Sequence, residues 1–199
     1  MFVVTADQVG SRSSADAVDS ALDTIRTVGG TRLALAPERT VGDEVQVATD
    51  DPRCLLDLVL ALTRLGDWSV GCGVGAVDSE PSASVRAARG PAFSAAREAV
   101  EAAKKRPMRF ALRAADDRAA DAGDAQAFVD LLLALRARRT REGWEVFDLI
   151  ASGAAQKSVA QRLGISEQAI SLRVRAAQVA VELDAVPALV RSLERVARW

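Results

Sequence analysis

Apolar runs and helix-like apolar periodicity alternate along the first half of the chain, which predicts a mixed α and β domain. Short runs rich in β-branched residues indicate buried strands, whereas apolar residues that recur every three to four positions indicate helices. We expect strands at 2–5, 33–36, 44–49, 68–77 and 108–113, and helices at 15–28, 51–65 and 93–105. The order β-α-β-β-α-β-α-β favours an α+β fold, with antiparallel strands in the sheet and helices on one face.

The second half of the chain has helical periodicity only. A stretch rich in Ala, Asp and Gly at 115–125 predicts a turn or a junction between domains. Helices are expected at 127–139 and at 141–151. Large apolar residues of the second of these are expected to form the core of a three-helix domain: Trp144, Phe147 and Ile150. The predicted organisation is a domain at 1–120, a connecting helix within 121–140 and an all-α domain at 141–199.

The segment 156–177, QKSVAQRLGISEQAISLRVRAA, has the pattern of a helix, a tight turn and a second helix. Gly164 is suited to end the first helix, because a residue without Cβ adopts the left-handed conformation at little cost. Ser166 is a favourable N-cap for the second helix. Apolar residues occupy one face of each predicted helix: Val159, Ala160, Leu163, Ile170 and Val174. The spacing predicts a DNA-binding helix-turn-helix, and the alternative is an ordinary helical hairpin that ends at a glycine.

The polar face of this segment supplies the candidate DNA contacts. The predicted interface consists of Lys157, Ser166, Gln168, Ser171, Leu172, Arg173 and Arg175. Gln168 and Arg175 are expected near base edges, because Gln pairs well with adenine and Arg with guanine. Lys157, Ser166 and Arg173 are expected to bind phosphates and so to fix the register of the protein on the duplex.

A further amphipathic helix is predicted at the end of the chain, reaching Trp199. Its apolar stripe consists of Val186, Leu189, Val190, Leu193 and Val196. This helix either covers its own domain or pairs with a second copy of the chain. We favour pairing, because helix-turn-helix proteins commonly bind two half-sites as dimers.

Composition indicates a globular protein and excludes several kinds of chemistry. Hydrophobic residues make up 49% of the chain and charged residues 27%. The absence of His excludes a Ser-His-Asp triad, a His general base and a His-containing metal site. The two cysteines, Cys54 and Cys72, are too few for a zinc site, and their apolar neighbours predict buried, reduced thiols. No apolar run approaches the roughly 20 residues of a membrane helix, and the N-terminus lacks a signal-peptide pattern, so a cytoplasmic protein is expected.

Charge is distributed unevenly along the chain. The net charge is −1, but the part from Arg136 onward has 11 Lys and Arg against 7 Asp and Glu, so the remainder is acidic. A basic C-terminal part beside an acidic N-terminal part is typical of a DNA-binding module joined to a second domain.

Three N-terminal segments resemble the SatD family: VVTADQVGSR at 3–12, GDEVQ at 42–46 and GPAFSAAREA at 90–99. The segment 143–177 looks like the C-terminal helix-turn-helix of that family and, more loosely, like those of response regulators and sigma factors. The same N-terminal segments are similar to the catalytic core of class III nucleotidyl cyclases. That resemblance implies a ferredoxin-like or palm-type sheet.

The cyclase resemblance also implies a ligand site. In that family an Asp that ends the first strand and a second Asp in the following hairpin hold two metal ions, and these map to Asp7 and Asp43. The arginine of the cyclase NxxxR helix maps to Arg97. Together these residues would bind Mg²⁺ and a nucleotide, and the glycine-rich strand would leave room for it.

Two departures from the cyclase pattern argue against cyclization. A cyclase lysine is replaced by Arg39, and the Asn of the NxxxR helix is replaced by Phe93. The domain would then be a nucleotide or metal sensor, or a palm-like domain used for dimerization or partner binding. In the last case Asp7 and Asp43 are ordinary turn residues.

These patterns together predict a DNA-binding transcriptional regulator and not an enzyme. Its expected partners are double-stranded DNA and a second copy of the chain, with a small nucleotide as the candidate effector. The residue patterns alone indicate no cofactor, and the cyclase resemblance implies Mg²⁺ with a nucleotide. Two alternatives remain open: a nucleotide- or metal-binding protein of the palm class, and a protein-interaction module that contacts no DNA.

Overall fold

The computed structural model of the chain describes residues 1–11, 15–78 and 84–198. The strands are β1 (Phe2–Gln8), β2 (Leu35–Arg39), β3 (Glu44–Thr49), β4 (Trp68–Val74) and β5 (Phe110–Ala114). The helices are α1 (Val18–Gly29), α2 (Pro52–Arg64), α3 (Pro91–Ala103), α4 (Ala119–Ala137), α5 (Arg141–Ala151), α6 (Gln156–Leu163), α7 (Glu167–Ala176) and α8 (Val179–Ala197). The expected mixture of strands and helices is confirmed.

The chain forms two compact units. The first comprises Met1–Asp130 and the last residues from Val190, and the second comprises Leu131–Leu189. The sheet and α1–α3 belong to the first unit, and α5–α7 belong to the second. Helices α4 and α8 each contribute residues to both.

The five strands form one mixed sheet in the order β2-β3-β1-β4-β5. The central strand β1 pairs antiparallel with β3 on one side and with β4 on the other. Strand β5 joins β4 in parallel, which requires a crossover connection, and α3 provides it. The register places Asp7 of β1 opposite Glu44 of β3 and Ser69 of β4.

Both faces of the sheet are covered at β4, as the burial of this strand along its whole length shows. Helix α3 lies on the face of Gly71 and Gly73, where an added Cβ would come within 2.1 Å of the α3 backbone atoms Val100 N and Ala92 O, respectively. Helices α1 and α2 pack against each other and against the sheet, and they cover the opposite face. The expectation of helices on one face only is therefore wrong. Side chains alternate along a strand, so a strand buried throughout needs a layer on each side.

Strand β2 departs from the prediction at a proline. The sequence predicted a strand at 33–36 and a turn from Pro37, but the strand continues through Pro37. Strand β2 lies at the edge of the sheet, where a residue without an N–H is tolerated. Its register with β3 shifts between Leu35 and Glu38, on either side of the proline.

A turn is present at 115–118, as predicted for the stretch 115–125, but the rest of that stretch is helical, because α4 begins at Ala119 and passes through Gly123. The alanines Ala122 and Ala125 are buried, so packing favours a helix where composition alone suggested a turn. Helices α4 and α8 are the longest in the described ranges, with 19 residues each. No helix in those ranges is long and apolar enough to cross a membrane.

Both cysteines are expected to be unreactive in the folded protein. Cys54 in α2 and Cys72 in β4 are buried free thiols, as the sequence predicted. Burial raises the pKa of both thiols, so very little thiolate forms at neutral pH. A thiol reagent should label neither cysteine in the native protein and both after denaturation. Native labelling of Cys72 at the rate of a free thiol would contradict its position in the sheet.

Candidate nucleic-acid interface

Helices α5, α6 and α7 pack around a small apolar core in the second unit. Its buried members come from all three helices: Val146, Val159, Ala160 and Ile170. Leu163 and Val174 extend it as half-buried neighbours, as their spacing predicted. The prediction that Trp144 and Phe147 form this core is wrong, because both rings are only half-buried and pack edge to face against each other. Ile150 packs at the margin of the core.

The turn between α6 and α7 has the geometry that the sequence predicted. Gly164 has φ 66° and ψ 30°, the left-handed conformation that ends many helices. The Ser166 hydroxyl accepts a hydrogen bond from the N–H of Ala169 at 3.2 Å and so caps α7. Thr140 caps α5 in the same way through the N–H of Gly143 at 3.1 Å. These local signals set the bounds of the three helices.

The outer face of α7 carries the residues predicted to contact bases. Gln168, Ser171 and Arg175 are exposed and recur at helical spacing. Leu172 lies among them and is 63% exposed. The face therefore offers hydrogen-bonding groups and one apolar group on a single helix, which are the groups that contact base edges in a major groove.

Basic residues flank this face. Lys157 in α6 is exposed, and so is Arg162. Arg173 differs from them, because it is half-buried and its Nη1 lies 4.0 Å from the Glu145 carboxylate of α5. Its charge is partly balanced within the unit, so Lys157 is the freer of the two basic residues that were predicted to bind phosphates.

A buried charge cluster lies in the same unit, and sequence reasoning missed it. Glu182 of α8 is 2% exposed and forms ion pairs with Arg136 and Arg139 at the end of α4. The Arg139–Glu182 contact is 2.8 Å. Arg139 also donates hydrogen bonds of 3.0 and 2.8 Å to the Ala177 carbonyl, directly after α7. The cluster therefore ties the C-terminal end of α7 to α4 and α8.

Trp144 and Phe147 cover these arginines. The Arg139 guanidinium lies 4.5 Å from the Trp144 ring centroid and 4.2 Å from that of Phe147. Its Nη1 is buried and has no hydrogen-bond partner among the described residues. The aromatic faces supply its favourable contact through cation–π attraction. This contact explains why the two rings lie outside the apolar core.

In the first unit, Asp7 lies at the end of β1 as predicted, but its carboxylate already has a partner. Its Oδ2 is 3.0 Å from the Nζ of Lys104, which follows α3 and also lies 2.7 Å from the Glu101 carboxylate. Burial lowers the pKa of Lys104, but the hydrogen bonds to Glu101 and Asp7 outweigh it, so the pKa is raised overall. A charged lysine therefore occupies the position where a metal ion was predicted.

Asp43 lies in the turn of the β2–β3 hairpin, after Gly42, whose φ is 63°. Arg39, which replaces the cyclase lysine, donates hydrogen bonds to the Gly42 carbonyl at 2.6 Å and to Asp16 at 2.7 Å. In the described parts of the chain, no group of three or more His, Cys, Asp or Glu side chains is placed to hold a metal ion. A metal held by the two predicted aspartates would need water or phosphate oxygens as its other ligands.

Arg97 lines an open cleft between α3 and the β2–β3 hairpin. The cleft has a volume of about 660 Å³, and Arg86 and Glu44 also line it. Neither Asp7 nor Asp43 is among its lining residues. This cleft therefore does not bring the three predicted ligand residues together.

The glycines of β4 do not leave room for a nucleotide, so that prediction is wrong. The space beside Gly71 and Gly73 is filled by the backbone of α3, and Gly75, directly after the strand, lies against Ala92 and Ala115. Helix α3 approaches this closely because the residues that it turns towards the strand are alanines, among them Ala92 and Ala96. The glycines make room for a helix.

The apolar stripe of α8 is buried within the chain itself. Its members Val186, Leu189, Leu193 and Val196 are buried, and Val190 is half-buried. This burial favours the alternative in which the chain itself covers the stripe. The sequence had led us to expect that the stripe pairs with a second copy of the chain. Helix α8 ends at Ala197, and Trp199 lies outside the described residues.

Comparison with protein-family models, with curated proteins and with solved structures found no match for this chain. The resemblances to the SatD family and to nucleotidyl cyclases therefore rest on sequence motifs alone.

Proposed function

We propose that the protein is a DNA-binding transcriptional regulator whose α7 enters the major groove. The observation that carries this proposal is the exposed face of α7, with Gln168, Ser171, Leu172 and Arg175 on a helix whose opposite face is anchored by Ile170. An anchored helix holds its outer side chains in a fixed arrangement, which recognition of base edges requires.

The proposal assigns a fold to each unit. Helices α5–α7 would form a trihelical helix-turn-helix domain. The first unit would be a ferredoxin-like, palm-type domain extended by β5, and the strand order β2-β3-β1-β4 supports that assignment. It would act as a sensor or a dimerization domain, as a SatD-like protein with a degenerate cyclase-like core would allow.

Each residue of the interface has a proposed role. Arg175 would bind the O6 and N7 acceptors of a guanine, and Gln168 the N6 and N7 atoms of an adenine. Leu172 would contact a thymine methyl group, and Ser171 suits either kind of base pair. Lys157 would bind a phosphate, together with Ser166 and Arg173 at the edges of the face.

We expect Arg175→Ala to relax base preference and Lys157→Ala to weaken binding to all duplexes. Loss of a bidentate base contact costs about 1–3 kcal/mol of discrimination, whereas a phosphate contact is independent of sequence. Anisotropy titrations of both variants against a selected site and against random DNA separate the two effects. Equal losses on the two duplexes for both variants would refute these roles.

The direct test is a titration of the intact protein against mixed duplex DNA at two salt concentrations. Phosphate contacts release counterions, so the affinity should fall steeply as the salt concentration rises. The double variant Lys157→Glu/Arg175→Glu should lose this binding. Its matched control, Lys105→Glu/Arg113→Glu, changes two exposed cations of the first unit and should retain it. No salt-sensitive binding at low salt would reject the proposal.

A second candidate, a Mg²⁺-dependent nucleotide-binding protein or palm-type enzyme, is favoured by the cleft that Arg97 lines. In that case Asp7 would have to exchange Lys104 for a metal ion. Binding of a fluorescent nucleotide with and without Mg²⁺ tests the candidate. Asp7→Asn and Asp43→Asn should each abolish the metal-dependent part, and Asp19→Asn should not. Binding that survives both substitutions would exclude this site.

A further inference from the structure

Helix α4 is apolar on two opposite faces, and the chain covers one of them. Its inner face is formed by buried residues: Ala122, Ala125, Val129, Leu132 and Leu133. Its outer face carries two large exposed side chains, Phe128 at 48% and Leu131 at 70%. A helix that is apolar all round is normally buried all round, because burial of such side chains is favourable. The outer face of α4 therefore lacks a partner.

This outer face has the spacing of a seam between paired helices. Exposed or half-buried residues recur at alternating intervals of four and three positions: Asp124, Ala127, Leu131, Ala134 and Arg138. Such a repeat keeps one stripe of a helix facing a second helix over several turns. Phe128 and Leu135 border the stripe. All but Arg138, which follows the last turn, lie within one continuous helix, so helix geometry alone sets their spacing.

The two ends of the seam carry opposite charges. Asp124 and Arg138 are equally far from Leu131 along the chain, one on each side, and that separation is about 10 Å in a helix. Both side chains are exposed, and neither forms an ion pair within the described part of the chain.

We propose that a second copy of this chain docks on this face, with the two α4 helices antiparallel and a two-fold axis passing Leu131. Antiparallel pairing places Asp124 beside the partner's Arg138 and Arg138 beside the partner's Asp124. Parallel pairing would instead oppose like charges. Ala127 and Ala134 lie on either side of Leu131 and are small enough to let the two helices approach closely.

A second copy fits this face better than an unrelated protein does, because the face carries its own electrostatic complement. A two-fold axis makes one patch meet itself, so each charged residue must find its opposite within the same patch, and Asp124 and Arg138 satisfy that condition. The proposal does not depend on DNA binding. The dimer interface proposed here is the outer face of α4, which is exposed, and not the apolar stripe of α8, which is buried.

The first test is the association state of the intact protein, measured by sedimentation equilibrium. Wild-type protein is expected to dimerise reversibly. Leu131→Glu places two carboxylates at the axis of an apolar seam and should raise the dissociation constant by more than about tenfold. Val41→Glu, at an 82% exposed valine of the β2–β3 hairpin, is the matched control and should leave it unchanged. A monomer at every concentration, or a dimer that Leu131→Glu leaves intact, would overturn the proposal.

Charge reversal tests the antiparallel geometry. Asp124→Arg and Arg138→Asp should each weaken the dimer, because each creates two pairs of like charges across the interface. The double variant Asp124→Arg/Arg138→Asp restores both opposite pairs and should recover the wild-type dissociation constant. A double variant that dimerises no better than either single variant would contradict antiparallel pairing.

Cross-linking tests the position of the axis. Leu131→Cys should form a disulfide-linked dimer under mild oxidation, because the two copies of this residue face each other across the axis. Cys54 and Cys72 are buried and should not compete. Val41→Cys serves as the exposed control and should form no disulfide-linked dimer. Equal cross-linking of the two variants would show only random collision and would count against the interface.

Discussion

Glu182→Ala is expected to lower the free energy of unfolding of the second unit by about 3–5 kcal/mol, because it leaves two buried arginines without a carboxylate. Arg136 and Arg139 both form ion pairs with the Glu182 carboxylate, and the Arg139 side chain is fully buried. The substitution leaves both guanidinium groups buried without the carboxylate that balances their charge. Urea denaturation followed by circular dichroism measures the loss.

Two comparisons make this result specific to the charge cluster. Asp184→Ala removes an exposed carboxylate from the same helix and should change the stability by no more than about 0.5 kcal/mol. The triple variant Arg136→Met/Arg139→Leu/Glu182→Leu should recover most of the stability, because apolar replacement of a whole buried ion network is often neutral. If Glu182→Ala were as stable as Asp184→Ala, the cluster would not be the support that its burial indicates.

The same substitution is expected to weaken DNA binding although Glu182 is buried and cannot contact DNA. Glu182 positions Arg139, which donates two hydrogen bonds to the Ala177 carbonyl at the end of α7. Loss of that support would let α7 change its orientation. The loss of DNA binding should be smaller at low temperature and should grow as urea is added, whereas the loss caused by Arg175→Ala should not change with either.

Gly73→Ala is expected to destabilise the first unit by about 3 kcal/mol or more. The added methyl group would clash with backbone atoms, which cannot move aside as a flexible side chain can. The added Cβ would lie 2.1 Å from the Ala92 carbonyl oxygen and 2.2 Å from the Ala96 nitrogen, and both are backbone atoms of α3. Helix and strand would have to separate along their whole contact. Thermal denaturation and the yield of soluble protein measure the effect.

Gly123→Ala provides the matched control for this prediction. Gly123 lies within α4, and a Cβ there would meet nothing within 4 Å. Alanine should therefore stabilise the helix by about 0.5–1 kcal/mol, since glycine costs that much in a helix interior. Wild-type stability of Gly73→Ala would contradict the close contact between β4 and α3.

Most of the secondary structure of the second unit was predictable because its signals are local. The bounds of α6 and α7 follow from Gly164 and Ser166, and that of α5 from Thr140, each acting on backbone groups within one turn. The apolar periodicity identified Val159 and Ile170 as core residues for the same reason. The exposed face of α7 was predictable too, because it consists of the positions that lie outside the apolar stripe of that helix.

The candidate site of the first unit was predictable only in part. Asp7 lies at the end of a strand as expected, but Lys104 beside it was not predictable, because nothing local along the chain links the two residues. The glycines of β4 signalled a close approach, and the prediction misassigned the neighbour. Glycines in a strand indicate that there is no room for a Cβ, but they do not indicate whether a ligand or a helix fills the space.

Local chemistry was thus sufficient for the helices, their caps and the polar face of α7, since each depends on residues within a few positions of one another. The charge cluster around Glu182, the helix behind the glycines of β4 and the burial of the α8 stripe depended on the folded chain. Glu182 and Arg139 are 43 positions apart, and only packing brings such distant groups out of water together. The free energy of a buried charge is set by the partners that surround it, and those partners are known only once the chain has folded.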